Sequence, residues 1–125
     1  MSNPLLQNPR STPVADLAAI HDRLNKTYLS GKTRDLEYRK VQLRKLYFAI
    51  KDNSQRILAA LKADLNKPVN EAMMVEILWL EKDILTCLSL LDKWAADESA
   101  DVDLLFKLMS PRIRKDPIGT VLIIG

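Results

Sequence analysis

Apolar residues recur at intervals of three and four along most of the chain, and the rhythm changes near residue 101. Leu17, Ile20, Leu24 and Tyr28 fall on one face of a helix. Thr12 reads as its cap, with Pro13 at the first helical position, where a missing N–H costs nothing. Gly31 follows, a residue that accepts the left-handed conformation in which helices often end. Thr33 reads as the next cap, and Leu36, Leu43, Leu46, Tyr47 and Ile50 form a second stripe. The segment Lys51-Asp52-Asn53-Ser54 is a break or a new cap. Ile57, Leu58, Leu61 and Leu65 continue the stripe until Pro68 disfavours helix at Lys67.

Asn70 reads as the cap of a long helix carrying Met73, Met74, Ile77, Leu80, Ile84, Cys87, Leu88, Leu91 and Trp94. The acidic stretch 95–101 is its exit. In 104–109, Leu104, Phe106 and Leu108 alternate with Leu105, Lys107 and Met109, which predicts extended chain. Pro111 interrupts it, Pro117 and Gly119 make a turn, and Thr120-Val121-Leu122-Ile123-Ile124-Gly125 closes. The pattern thus predicts helices over 13–95 and extended segments over 104–124. The last run is apolar on both alternating faces, as in a strand of a parallel sheet covered on both sides. Such a strand needs neighbours, and no other run reads as a parallel partner. The expectation is the amino-terminal part of a larger α/β protein, stopping short of the carboxyl strand end where such sheets bind ligands.

Composition fits a soluble globular class: 125 residues, 47% hydrophobic, 28% charged, 6% aromatic. Residues 1–68 hold 13 basic and 6 acidic side chains, and residues 69–125 hold 6 and 10. The basic residues are interleaved with acidic ones on helix faces, so the charge reads as solvated surface, and no basic-aromatic platform points to nucleic acid. A single cysteine excludes an intrachain disulfide. The first residues lack the apolar core of a signal peptide, and no run is apolar enough for a transmembrane helix.

Candidate chemistry is sparse. Cys87 sits mid-helix among apolar residues and reads as a packing thiol, because reactive cysteines need accessible, electropositive surroundings. His21, beside Asp22, is the only histidine and makes no metal constellation. Glu71 and Glu76 are five residues apart and should diverge on an α-helix. Together with Glu81 and Asp83 they read as a solvated face. Trp79 and Trp94, fifteen apart, read as one stripe of core or subunit contacts rather than as a cofactor platform. No phosphate-binding glycine motif is present.

The ordered series "SGKTRDLEYRKVQLRKLYFAI", "ILAALKADLNKP", "KWAADE" and "DPIGTVLIIG" resembles the amino-terminal region of the aldehyde dehydrogenase superfamily, in its class 3 and fatty aldehyde branch. The resemblance runs from about Leu17 to Gly125. Asp35 departs from it, since the family commonly has proline after "TR". Asp116 and Ile118 vary a Glu-Pro-Leu-Gly turn. The implied parent fold is α/β. This chain supplies a mostly helical part with a short β-arm and the first strand of the cofactor-binding sheet. The implied organisation is a loose segment 1–12, helical part 13–101, subunit-contact β-arm 102–118 and strand 119–125.

The implied activity is oxidation of aldehydes, medium- or long-chain aliphatic ones among them, to carboxylic acids with NAD or NADP. The family's cysteine nucleophile, glutamate base and oxyanion asparagine all fall beyond Gly125. The chain therefore carries no catalytic residue and no metal site, is not expected to turn over alone, and contributes Ile124 and Gly125 at the border of the dinucleotide cleft. The family also implies an aldehyde substrate, a homodimeric parent and no nucleic acid. Its place is the cytoplasm or the cytoplasmic face of a membrane, reached through a carboxyl-terminal tail outside this sequence. The alternative is a self-contained helical interaction module whose basic first half binds an anionic partner.

Overall fold

A computed structural model describes residues 13–123. Five helices come first: α1 (Val14–Leu29), α2 (Leu36–Asp52), α3 (Ser54–Leu65), α4 (Val69–Ala72) and α5 (Trp79–Ala95), with a π-helical segment, Met73–Leu78, joining the last two into one rod. A short strand β1 (Glu98–Ser99), a helical turn α6 (Leu104–Lys107) and a strand β2 (Arg112–Ile113) follow. The helical expectation for 13–95 holds, apart from the joints near residues 30–35, 53 and 66–68.

The joints show which side chains set them. Gly31 takes φ 73°, where a Cβ is disfavoured, and reverses the chain after α1. The cap of α2 is Asp35 rather than Thr33: its carboxylate accepts the backbone N–H groups of Glu37 and Tyr38, both at 3.2 Å. An aspartate there also suits the positive end of the helix dipole. The carbonyl of Thr33 serves instead as an acceptor for Arg39 Nε at 2.5 Å. Between α2 and α3 a single residue, Asn53, makes the break, its Nδ2 donating to the Ala49 carbonyl at 2.7 Å. Asn66 closes α3 in the left-handed region at φ 51°. The long rod then starts at Val69, behind Pro68, so Asn70 lies inside its first turn rather than capping it.

The core lies where α2, α3 and the rod meet. Ile50, Leu58, Ala72, Ile77 and Ile84 are buried, with Leu43, Tyr47, Ile57, Leu61, Met73 and Leu88 packed against them. Lys40, near the start of α2, reaches Asp92 near the end of α5, so these two helices run antiparallel. Most of the stripe residues read from the sequence in α2, α3 and the rod face this core, but Leu46, Leu65, Met74, Leu80 and Trp94 do not: each is between 45% and 69% exposed. In α1 the stripe stays outside the core, and no residue of that helix is buried.

Residues 104–109 overturn the expectation of extended chain. They form α6 and a turn, closed by Phe106 N–H to Asp103 O at 2.9 Å, Met109 N–H to Phe106 O at 3.0 Å and Ser110 N–H to Lys107 O at 3.1 Å. Five of the six residues are apolar, so alternation has no polar face to mark it, and leucine, lysine and methionine all favour helix. The extended pairing sits on either side: β1 and β2 are antiparallel, with Glu98 opposite Ile113 and Ser99 opposite Arg112. Residues 119–123 join no sheet, and Val121, Leu122 and Ile123 are each more than four-fifths exposed. A strand forms its ladder only against a neighbouring backbone, and no described segment lies beside this one.

Candidate functional site

The structure brings Glu71 and Glu76 together, contrary to the divergence expected on an α-helix. Lys67, in the joint before the rod, is bonded to the Glu76 carboxylate and lies 3.9 Å from that of Glu71. The cause is the π-helical segment that begins at Met73. Its wider i→i+5 turn brings positions five apart closer to one face than an α-helix does. The ammonium of Lys67 is thereby held above the ordinary lysine value, first by the hydrogen bond to Glu76, against a smaller desolvation cost. The cluster is one cation between two anions. It fixes the joint between α3 and the rod, and it has neither the free carboxyl pair nor the histidine of an acid-base site.

Lys40 makes the corresponding tie at the other end of the core. Its ammonium lies 2.9 Å from both Glu37 and Asp92, linking α2 to α5, and these bonds, Glu37's first, raise its affinity for the proton. Glu81 and Asp83 form no ion pair among the described residues.

Cys87 is a free, partly buried thiol on α5, three residues after buried Ile84 and next to Leu88, which packs on the core. That is the setting of a packing residue. His21 Nδ1 lies 3.7 Å from Asp22 Oδ1 on the exposed surface of α1. Among the described residues no three His, Cys, Asp or Glu side chains gather as metal ligands. Trp79 and Trp94 are 68% and 47% exposed, so neither is the core residue that the stripe reading allowed. Ile124 and Gly125, expected at the border of a dinucleotide cleft, lie outside the described residues.

A hollow of about 780 Å³ opens beside the β1–β2 pair, lined by Asp97, Ser99, Asp101, Lys107, Ser110 and Arg112. Neither serine hydroxyl is hydrogen-bonded to a histidine or a carboxylate there, so no nucleophile is activated. A second hollow, between the start of α2 and the end of α5, gathers arginines that the sequence scatters over eighty positions. Arg34 and Arg39 read in the sequence as solvated helix charge and Arg114 as part of an extended segment, and only the tertiary fold brings them together. Among the described residues no helix is long and apolar enough to cross a membrane.

No family model matches the chain. Individual relatives do. A beta-apo-4'-carotenal oxygenase of Gibberella fujikuroi is 42% identical over 115 residues, 91% of this chain and 21% of the relative. Aldehyde dehydrogenase family 3 member B3 of Mus musculus is 39% identical over 103 residues, 82% of this chain and 22% of the relative. Aldehyde dehydrogenase family 3 member F1 of Arabidopsis thaliana is 35% identical over 102 residues, again 82% of this chain and 21% of the relative. The resemblance to class 3 aldehyde dehydrogenases read from the sequence is borne out. The chain spans about a fifth of the length of the curated relatives it matches.

Proposed function

We propose that this chain serves as the helical outer part of an NAD(P)-dependent aldehyde dehydrogenase that converts aldehydes, medium- and long-chain aliphatic ones included, into carboxylic acids. The observation that carries the reading is the match of 35–42% identity over four-fifths or more of the chain to aldehyde dehydrogenases of family 3 and to a carotenal oxygenase. The structure is compatible with it: helices dominate, and the short apolar run Val121, Leu122 and Ile123 stands exposed.

In this reading the chain's own work is structural. The core of α2, α3 and the rod is a rigid support, and the backbone at Ile124 and Gly125 borders the dinucleotide. NAD or NADP, when bound, supplies the hydride acceptor. The thiolate, the water-activating carboxylate and the oxyanion donors come from further polypeptide, because Cys87 is packed beside the core and the described glutamates are paired or solvated. The working assembly is a homodimer in the cytoplasm or at the cytoplasmic face of a membrane.

The test is complementation. The chain alone, and the chain co-expressed with a family 3 aldehyde dehydrogenase lacking its matching fifth, are assayed for hydride transfer to NAD and NADP with short and long aldehydes. The expected result is no turnover by either part and turnover by the pair. Turnover by the chain alone, or a pair that associates without any activity, overturns the reading.

A further inference from the structure

We propose that the hollow between the start of α2 and the end of α5 is a binding site for a phosphate group, free or as a monoester, held by Arg34 and Arg39. This inference stands on the geometry of the hollow and does not depend on the aldehyde dehydrogenase reading.

The hollow measures about 370 Å³, and its charged lining is Arg34, Arg39, Asp97, Arg114, Lys115 and Asp116. Four cations face two anions, a surplus of two positive charges. Two of the cations are already engaged. Arg114 Nε lies 3.7 Å from the Asp116 carboxylate, and Lys115 pairs with Glu98 while donating to the Trp94 carbonyl at 3.0 Å. Arg34 and Arg39 have no carboxylate within 4 Å. The described residues hold every aspartate and glutamate of the chain, and among them none pairs with Arg34 or Arg39.

Arg39 separates this place from ordinary surface charge. Its side chain is partly buried, and its Nε is tied to the Thr33 carbonyl at 2.5 Å. One edge of the guanidinium is thus fixed, and its remaining N–H donors have no carboxylate to receive them. A planar fork with its position set in advance matches the tetrahedral oxygens of a phosphate and loses little freedom on binding. Arg34, held in the same turn by its backbone N–H to Gly31 O at 2.9 Å, adds a second fork on the same hollow. Two unpaired guanidiniums match one dianion. Asp97 and Asp116 on the lining disfavour longer polyanions, which would lie against them.

The experiment is equilibrium dialysis of the full chain against radiolabelled inorganic phosphate and, separately, glycerol 3-phosphate, with phenylglyoxal protection mapped by mass spectrometry. Saturable binding is expected, with phosphate shielding Arg34 and Arg39 from the reagent. Arg34→Gln weakens binding about tenfold, the loss of one charge-assisted interaction. Arg39→Lys keeps the charge but loses the fork, and weakens it similarly. Arg23→Gln, in a separate hollow on α1, leaves binding unchanged. Binding of either probe with this pattern supports the site, and the tighter probe identifies its form. Absence of saturable binding, or binding unaffected by Arg34→Gln in a chain with normal helical circular dichroism, overturns it. If Arg39→Lys fails to fold, the Arg34 variant and the protection map decide.

Discussion

The hydroxyl of Tyr28 donates to the carbonyl of Pro117 at 2.7 Å, across 89 positions of sequence. It joins the end of α1, a helix with no buried residue, to the segment that follows β2. With so little apolar burial behind it, α1 depends on this polar clip for its place.

Tyr28→Phe should therefore loosen two remote segments together. The expected cost is about 1 kcal/mol, that of a part-buried hydrogen bond. Hydrogen exchange should quicken in α1 and in residues 114–118, and stay unchanged at Ile50, Ile77 and Ile84 in the core. Faster exchange in only one of the two segments would show that the clip does not couple them.

Ile84→Ala should be among the costly substitutions. Ile84 is buried among Ile50, Leu58 and Ile77, and removing its methyl groups leaves a cavity where α2 meets α5. About 2–4 kcal/mol is expected from urea unfolding. Leu108→Ala, at a side chain 92% exposed, should stay within about 0.5 kcal/mol. Equal effects at the two positions would place the core elsewhere.

The contrast between these positions shows what the sequence could and could not disclose. The stripes of α2, α3 and the rod were legible because helical periodicity sorts apolar from polar residues there. In residues 104–109 almost every position is apolar, so period two and period 3.6 fit alike, and the backbone chose a helical turn. The π-helical segment was invisible because apolar periodicity does not separate one wider turn from the α-helical turns on either side of it, and with it went the meeting of Glu71 and Glu76 at Lys67. Asp35 and Thr33 both have side chains that cap helices, and their spacing to the first turn alone did not choose between them. Arg34, Arg39 and Arg114 meet only after α5 has returned the chain to the start of α2, which no local pattern records.

Lys40 and Lys67 make stability fall at alkaline pH. Each ammonium is held above the ordinary lysine value of 10.5 by hydrogen bonds that it donates to carboxylates, Glu37 and then Asp92 for Lys40, Glu76 for Lys67. A raised value in the fold means that the contribution is complete below 10.5 and is lost as the pH rises through the folded value. Thermal unfolding should show a decline above about pH 10.5 that is shallower in Lys40→Met and in Lys67→Met. An unchanged alkaline slope in both variants refutes the linkage.

Cys87→Ala should lower stability by about 1 kcal/mol through lost packing against the Ile84–Leu88 stripe. In an assembly that oxidises aldehydes, the same change should leave kcat and KM unaltered. A folded variant without turnover would overturn the packing assignment of Cys87.

The exposed apolar residues lead to a prediction about association. Leu104, Leu105, Leu108 and Met109 around α6 are each more than three-quarters exposed, and so are Val121, Leu122 and Ile123. Contiguous apolar surface of this kind is uncommon on monomers. The backbone of the run 121–123 has no partner among the described residues, which invites pairing with another chain. Sedimentation at two concentrations should show mass rising with concentration, while circular dichroism stays helical, because α2, α3 and the rod bury one another whatever α6 meets. Leu108→Glu and Leu122→Lys place charge on the two patches and should shift the chain towards monomer without altering its helical signal. Their effects should be separable: Leu122→Lys acts on strand pairing and Leu108→Glu on packing of the turn. A monomer at every concentration in the unaltered chain would mean that these side chains cover one another in solution.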